Sequence, residues 1–186
     1  MTEGAYLNGK LLLAMPGMGD PRFDRAVIAM CMHDENGALG IGIGHLHPGL
    51  GFHDLLGNVG IEPGEAPDCA VHLGGPVETS RGFVLHSPEW QDDDTVQVNE
   101  RFALSASLDV LRAITAGEGP ARWLFALGYA GWGPGQLDGE LKRHGWSAAE
   151  AREAILFATP AEARWTATWK AEGIDPALLA STTGRA

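Results

Sequence analysis

The apolar positions of this chain change their spacing along its length. Early on they come in short runs or in alternation, as strands require; toward the end they recur every three or four residues, as helices require. Residues 10–15 form an apolar segment that stops in a turn at Pro16-Gly17. Asp20-Pro21 is placed to cap one helical turn through Phe23. Residues 26–32 are continuously apolar, as expected of a central strand covered on both faces. Asn36-Gly37 supplies a tight hairpin turn into a strand over 38–45. There Gly40, Gly42 and Gly44 share one face, so another backbone or a large side chain must approach that face closely.

Residues 49–68 read as a long glycine- and proline-rich excursion in which 52–56 give a turn or two of helix. Strands are expected at 70–73 and 83–86, separated by a polar turn at 78–81, and a strand-like stretch at 96–106. Ser107 then caps a helix over 108–116 whose Leu108, Leu111 and Ile114 fall on one face. Residues 123–127 have the length and composition of a buried strand. From Gly128 the pattern predicts a glycine turn that Trp132 plugs into the core, and a helix with Pro134 in its first turn. Ser147 with Glu150 and Thr159 with Glu162 have capping-box spacing, which predicts helices over 148–157 and from 160 to just before Gly173. In the second, Trp165 and Trp169 lie one turn apart on the buried side. Asp175-Pro176 repeats the cap. No internal repeat or linker divides the chain, so 1–186 is expected to form one domain.

Composition narrows the function. The formal net charge of −11 repels phosphate backbones and anionic membranes, so nucleic-acid binding is not expected. No apolar stretch is long enough to span a bilayer and the N-terminus has no leader pattern, so the protein is expected in the cytoplasm. Cys31 and Cys69 are expected to be free thiols.

Candidate chemistry is sparse. Gly128 and Gly133 have P-loop spacing, but Pro134 and Gly135 stand where the lysine and hydroxyl residue belong, and no dinucleotide fingerprint follows. Among seven histidines, His45 and His47 share a strand face on which His53 can close, without an acidic or cysteine ligand at zinc spacing. Cys31 and His33 also share a face, as a thiolate–imidazole pair or as a buried thiol beside a strand-end histidine. The acidic run 88–95 reads as a solvated loop, with weak divalent-cation binding as the alternative. No nucleophile elbow is present, and the serines sit at turns and caps. Gly74-Gly75-Pro76 serves either as a tight turn or as an amide pair for an anion. Neither a cofactor nor a metal is called for.

Three islands occur together: Ala14-Met15-Pro16 with Asp20-Pro21 and Phe23; Gly74-Gly75-Pro76-Val77 followed by Arg81-Gly82-Phe83-Val84-Leu85-His86; and the stretch from Gly128 to Leu141. With them the chain resembles the YqgE/AlgH family of bacterial proteins from Leu12 onward. The resemblance implies an α+β domain on a strongly coiled, branching, mainly antiparallel sheet flanked by helices, with a helix-rich C-terminal part. It implies no established reaction. Members are often labelled transcriptional regulators on genetic grounds, whereas this chain has no basic helix-turn-helix. The chain departs from the family at Gly44-His45-Leu46, Ala26 and Arg185, and these substitutions remove candidate catalytic groups.

The expectation is therefore a non-catalytic regulatory or interaction protein. Its protein partner or small ligand would meet a surface formed by Gly74, Gly75, Pro76, Arg81, His86, Gly131, Trp132 and Gln136. The alternative is a small hydrolase or metal-dependent enzyme using His33, His86 and the Gly74-Gly75 amides.

Overall fold

A computed structural model describes residues 6–16, 24–143 and 145–178. The Asp20-Pro21 cap, His144 and Arg185 lie outside the described residues. The described residues form an α+β fold around a ten-stranded, mainly antiparallel sheet. β1 (Lys10–Ala14), β2 (Val27–Asp34) and β3 (Gly37–Gly42) form a meander, and the hairpin at Asn36-Gly37 is present. β3 stops at Gly42, short of the expected 45. A strand not foreseen, β4 (Leu46–Gly51), then leads into α1 (Phe52–Asn58). β5 (Ala70–Leu73), β6 (Val77–His86), β7 (Val96–Gln97) and β8 (Ala103–Ser105) follow. The strand-like stretch 96–106 is thus two short strands. Their turn is held by Asn99, whose Oδ1 accepts from the amides of Arg101 and Phe102 at 2.8 and 3.1 Å.

α2 (Leu108–Thr115) begins at Ser107, whose hydroxyl accepts from the Val110 amide as the cap pattern predicts. Its buried face differs from the expected one: Val110, Leu111 and Ile114 pack inward, and Leu108 is exposed. β9 (Trp123–Trp132) continues through the predicted glycine turn as a single strand. The turn is confined to residues 133–135, with Pro134 ahead of the N-cap of α3 (Gln136–Lys142) rather than inside it.

The largest correction concerns residues 147–157. The segment predicted as a capped helix is β10 (Trp146–Glu150), paired antiparallel along the whole of β1, followed by a π-helical turn, Ala154–Ala158. Without β10, the outer edge of β1 would leave its amides and carbonyls unpaired. A strand also lets Trp146 and Ala149 bury on opposite faces, against different clusters, whereas a helix would put residues three apart on one face. Thr159 does not cap α4 (Ala161–Ala171); its hydroxyl donates to the Ala154 carbonyl of the preceding turn at 2.8 Å. Trp165 and Trp169 are buried as expected, ring centroids 6.1 Å apart.

Three apolar clusters result. One lies between the sheet and α4, and includes Leu13, Phe83, Leu124 and Trp169. A second joins Ile28, Trp132, Leu137 and Trp146 under α3. The third joins Phe52, Val84, Leu111 and Phe125 under α1 and α2.

Candidate functional site

β9 organises the sheet because both its edges are used and one of them is shared. One edge pairs with β6. The other pairs in parallel with β5 at Phe125–Leu127, then antiparallel with β3 at residues 130–132. Gly74-Gly75 is the backbone leaving at that fork. The Gly74 amide donates to the Leu127 carbonyl at 2.8 Å, and the Gly74 carbonyl accepts from the Gly42 amide at 2.7 Å. A Cβ on Gly74 would lie 2.1 Å from the Gly128 oxygen, and one on Gly75 would lie 2.1 Å from the Tyr129 carbonyl carbon. Gly128 is itself left-handed, with φ +79. The two glycine motifs are therefore the two sides of one backbone-on-backbone contact. The close approach expected for the glycine face of β3 is met by Ile28 and Met30 at Gly40 and by the Leu73 and Gly74 carbonyls at Gly42. The turn expected at 78–81 is a bulge inside β6, four residues standing opposite Gly128 alone.

The eight residues expected to form one surface divide three ways. Gly74, Gly75 and Pro76 line a pocket of about 250 Å³ with Val27, Gly44 and Ala130. Trp132 and Gln136 belong to a clasp around Glu140, with Gly131 exposed beside it. The indole N–H groups of Trp132 and Trp146 both donate to Glu140 Oε1 at 3.0 Å, and the Gln136 amide donates to Oε2 at 3.1 Å. Arg81 is exposed on the bulge, 5.0 Å over the Phe83 ring and 3.8 Å from Glu78. His86 is fully buried, edge-on to Trp90 at the margin of the third cluster.

The polar groups with the chemistry for catalysis are tied into the structure. His86 Nδ1–H donates to the Ser87 carbonyl, and Nε2 pairs with the Ser105 hydroxyl, both at 2.8 Å. Ser105 also meets Thr95 at 2.7 Å, and Thr95 and Ser107 both donate to Asp92. Burial pushes the His86 imidazole below its ordinary pKa. Burial opposes the Asp92 charge, yet hydrogen bonds from Ser107 and Thr95 hold its carboxyl below the usual range. This network organises the acidic loop, and Ser105, its least expected member, carries no sequence signal beyond its place before a cap.

His33 is also committed. Its Nδ1 accepts from the Leu7 amide at 3.0 Å and its Nε2 lies 3.3 Å from Asp138. His45, His47 and His53 each face a backbone carbonyl, of Asp24, Pro48 and Ala66 respectively. Among the described residues no three His, Cys, Asp or Glu side chains group around a possible metal position. Cys31 and Cys69 are free, as expected, and burial pushes their pKa up to about 12 and about 11, so neither is a thiolate at neutral pH.

His72 and Arg164 form a buried pair that the sequence did not suggest. His72 Nδ1–H donates to the Phe125 carbonyl at 3.0 Å, and Nε2 accepts from Arg164 at 2.7 Å. Burial, and after it the neighbouring guanidinium, lower the His72 pKa from 6.5 to about 4. The folded form thus refuses a proton that the unfolded chain accepts. The stabilising contribution is complete above pH 6.5 and is lost as pH falls toward about 4. The loss should total about 3 kcal/mol, at no more than about 1.4 kcal/mol per pH unit. Urea unfolding between pH 7 and 4 measures it, and His72→Gln should flatten the slope in that window.

A larger concavity than the pocket at the fork lies elsewhere. A groove of about 530 Å³ runs between α1 and α2, floored by β6 and β9. Phe52, Leu56, Val84, Leu111 and Phe125 form its walls. It shares no lining residue with the pocket at the fork. Misplacing Leu108 on the buried face hid it from sequence reasoning, because Leu108 is part of its rim.

A forked, largely antiparallel sheet flanked by helices defines a class of α+β protein. The chain belongs to the AlgH-like family, whose model matches residues 11–177. It is 64% identical over its full length, and that of the relative, to a UPF0301 protein of Novosphingobium aromaticivorans, and 58% identical, again over both full lengths, to one of Rhizorhabdus wittichii. The solution structure of AlgH from Pseudomonas aeruginosa is similar with a TM-score of 0.81 at 39% identity, covering 96% of both chains. A crystal structure of a Corynebacterium diphtheriae protein shares the fold, with a TM-score of 0.76 at 21% identity over 97% of this chain and 94% of the other.

Proposed function

We propose that this is a non-catalytic regulatory or interaction protein of the cytoplasm. The whole chain acts as one unit and recognises a partner through the surface where Gly74, Gly75 and Pro76 leave the sheet. The observation that carries the reading is that His33, His72, His86 and Ser105 each spend their side-chain hydrogen bonds on internal partners. The pocket at the fork, by contrast, is lined by glycines and apolar residues, with His45 as the one polar residue among them. Exposed Leu73 adjoins that pocket and offers a partner an apolar contact. Arg81 lies on the bulge of β6 and is available as a charged contact. The net charge of −11 supports regulation without direct DNA contact, and no helix among the described residues is long and apolar enough to cross a membrane.

A photo-crosslinking residue placed at position 73 should give a discrete adduct in cells, and a crosslinker at position 76 combined with Leu73→Asp should abolish it. Adducts indifferent to Leu73→Asp would sink the reading. Of the groups expected for the hydrolase alternative, His33, His86 and the Gly74-Gly75 amides, only His86 meets a hydroxyl, that of Ser105. A fluorophosphonate probe is expected to leave Ser105 unlabelled, because the serine is only 1% exposed and also held by Thr95. Labelled Ser105, or reproducible ester turnover, would revive it.

A further inference from the structure

The geometry points to the groove between α1 and α2 as a binding site for an uncharged, lipid-like small molecule, independent of the surface at the fork. Its apolar body lies along the groove, and a single hydroxyl or carbonyl head sits at the mouth. Four observations converge on that chemistry.

The hollow, about 530 Å³, has the size of a site for a small ligand. No Asp, Glu, Lys or Arg lines it, although the chain carries a net charge of −11, and His47 is the one titratable residue among its lining. A charged head drawn inside would lose its hydration with no carboxylate, ammonium or guanidinium to replace it. The hydroxyls of Ser105 and Ser107 are already bonded within the acidic-loop network, so they leave the floor dry. The lining side chains of Asn58, Thr79 and Ser80 make no hydrogen bond among the described residues, and all three are exposed, which puts uncharged donors and acceptors where a head group would rest.

The rim favours a small molecule over a protein partner. Val59, just past the end of α1, and Leu108, the first residue of α2, are 49% and 45% exposed. Near them, Asp54 on α1 and the Asp109–Arg112 ion pair on α2 are exposed, so a protein wide enough to cover the groove would have to strip water from these charges. A narrow apolar molecule covers Val59 and Leu108 and touches none of these.

The test uses the intact chain and the uncharged dye Nile red. Saturable one-to-one uptake is expected. 1-Dodecanol should displace the dye roughly tenfold better than dodecanoate or dodecylammonium. Leu108→Asp and Val59→Asp, both at exposed positions, should weaken uptake roughly tenfold with the urea midpoint unchanged, whereas Met32→Asp on β2 should leave uptake as in the parent. Ser80→Trp, on the exposed bulge, blocks the mouth without adding charge and should weaken uptake as well. Absence of saturable uptake, equal displacement by the charged amphiphiles, or rim and mouth variants that bind like the parent would each overturn the assignment. Crosslinking from position 73 reads the fork surface separately, so either proposal can fail without the other.

Discussion

Gly75→Ala is expected to be the most damaging single-methyl change in the molecule, lowering the unfolding free energy by about 3–5 kcal/mol. Two costs add. Gly75 has φ +152, a region L side chains rarely adopt, and its new Cβ would lie 2.1 Å from the Tyr129 carbonyl carbon and 2.4 Å from the Ala130 nitrogen. Both neighbours are backbone in the central strand, so neither can turn aside as a side chain would. Relief requires β5 and β9 to move apart, which breaks the bonds from the Gly74 amide to Leu127 and from the Gly42 amide to Gly74. Since a domain of this kind has only about 5–15 kcal/mol in hand, much of the protein should be lost as insoluble material at 37 °C. Urea denaturation of what remains gives the size. A control at Gly57, where a Cβ meets nothing within 4 Å, should change the midpoint little. Comparable midpoints for the two variants would mean that the fork is looser than its geometry implies.

Arg164→Leu should cost about 3–5 kcal/mol by a different route. Arg164 is 5% exposed and has no carboxylate partner among the described residues. Its Nε donates to the Ile155 carbonyl at 2.9 Å, Nη2 to the Leu156 carbonyl at 2.9 Å, and Nη1 to the Ile43 carbonyl and to His72 Nε2, both at 2.7 Å. One side chain thus joins the π-helical turn, the end of β3 and β5 to α4. Burial lowers its pKa to about 10, still well above neutrality, so the cation persists. Removing it leaves three buried carbonyls and an imidazole nitrogen unsatisfied. Arg164→Lys should recover less than half of the loss, because an ammonium cannot present the planar fork that reaches all four acceptors. Urea midpoints of the three proteins decide it. Lysine restoring full stability would show that charge matters here and geometry does not.

The elements differ in how far local sequence could reveal them. Ala70–Leu73, the hairpin at Asn36-Gly37, the Ser107 cap and the Trp165–Trp169 face were legible because neighbouring residues alone decide them: a short run stopped by Gly-Gly-Pro, a turn dipeptide, a hydroxyl three residues before an amide, two indoles one turn apart. Residues 147–157 were not, because the capping-box spacing and helix-forming alanines there are overruled by the free edge of β1, which is distant in sequence. Trp132 could be read as a core plug, but Glu140, which binds its indole and that of Trp146, lies on a helix face where a glutamate carries no special signal. His33 and His86 attracted attention as reactive groups; the structure shows each serving as a junction between segments.

What the residues determined unaided is the inventory: an α+β chain, glycines wherever backbones must touch, free thiols, and the motif set of the AlgH-like family. Only the tertiary structure decided that the Gly74 and Gly128 motifs are one object. A sheet forks where the outgoing strand passes closer to the common strand than any Cβ allows. Closeness between residues more than fifty positions apart depends on the whole set of strand pairings, not on the local preferences a sequence displays. The same holds for the groove between α1 and α2, whose lining comes from six elements, β4, α1, β6, β8, α2 and β9, that meet only after the sheet has formed.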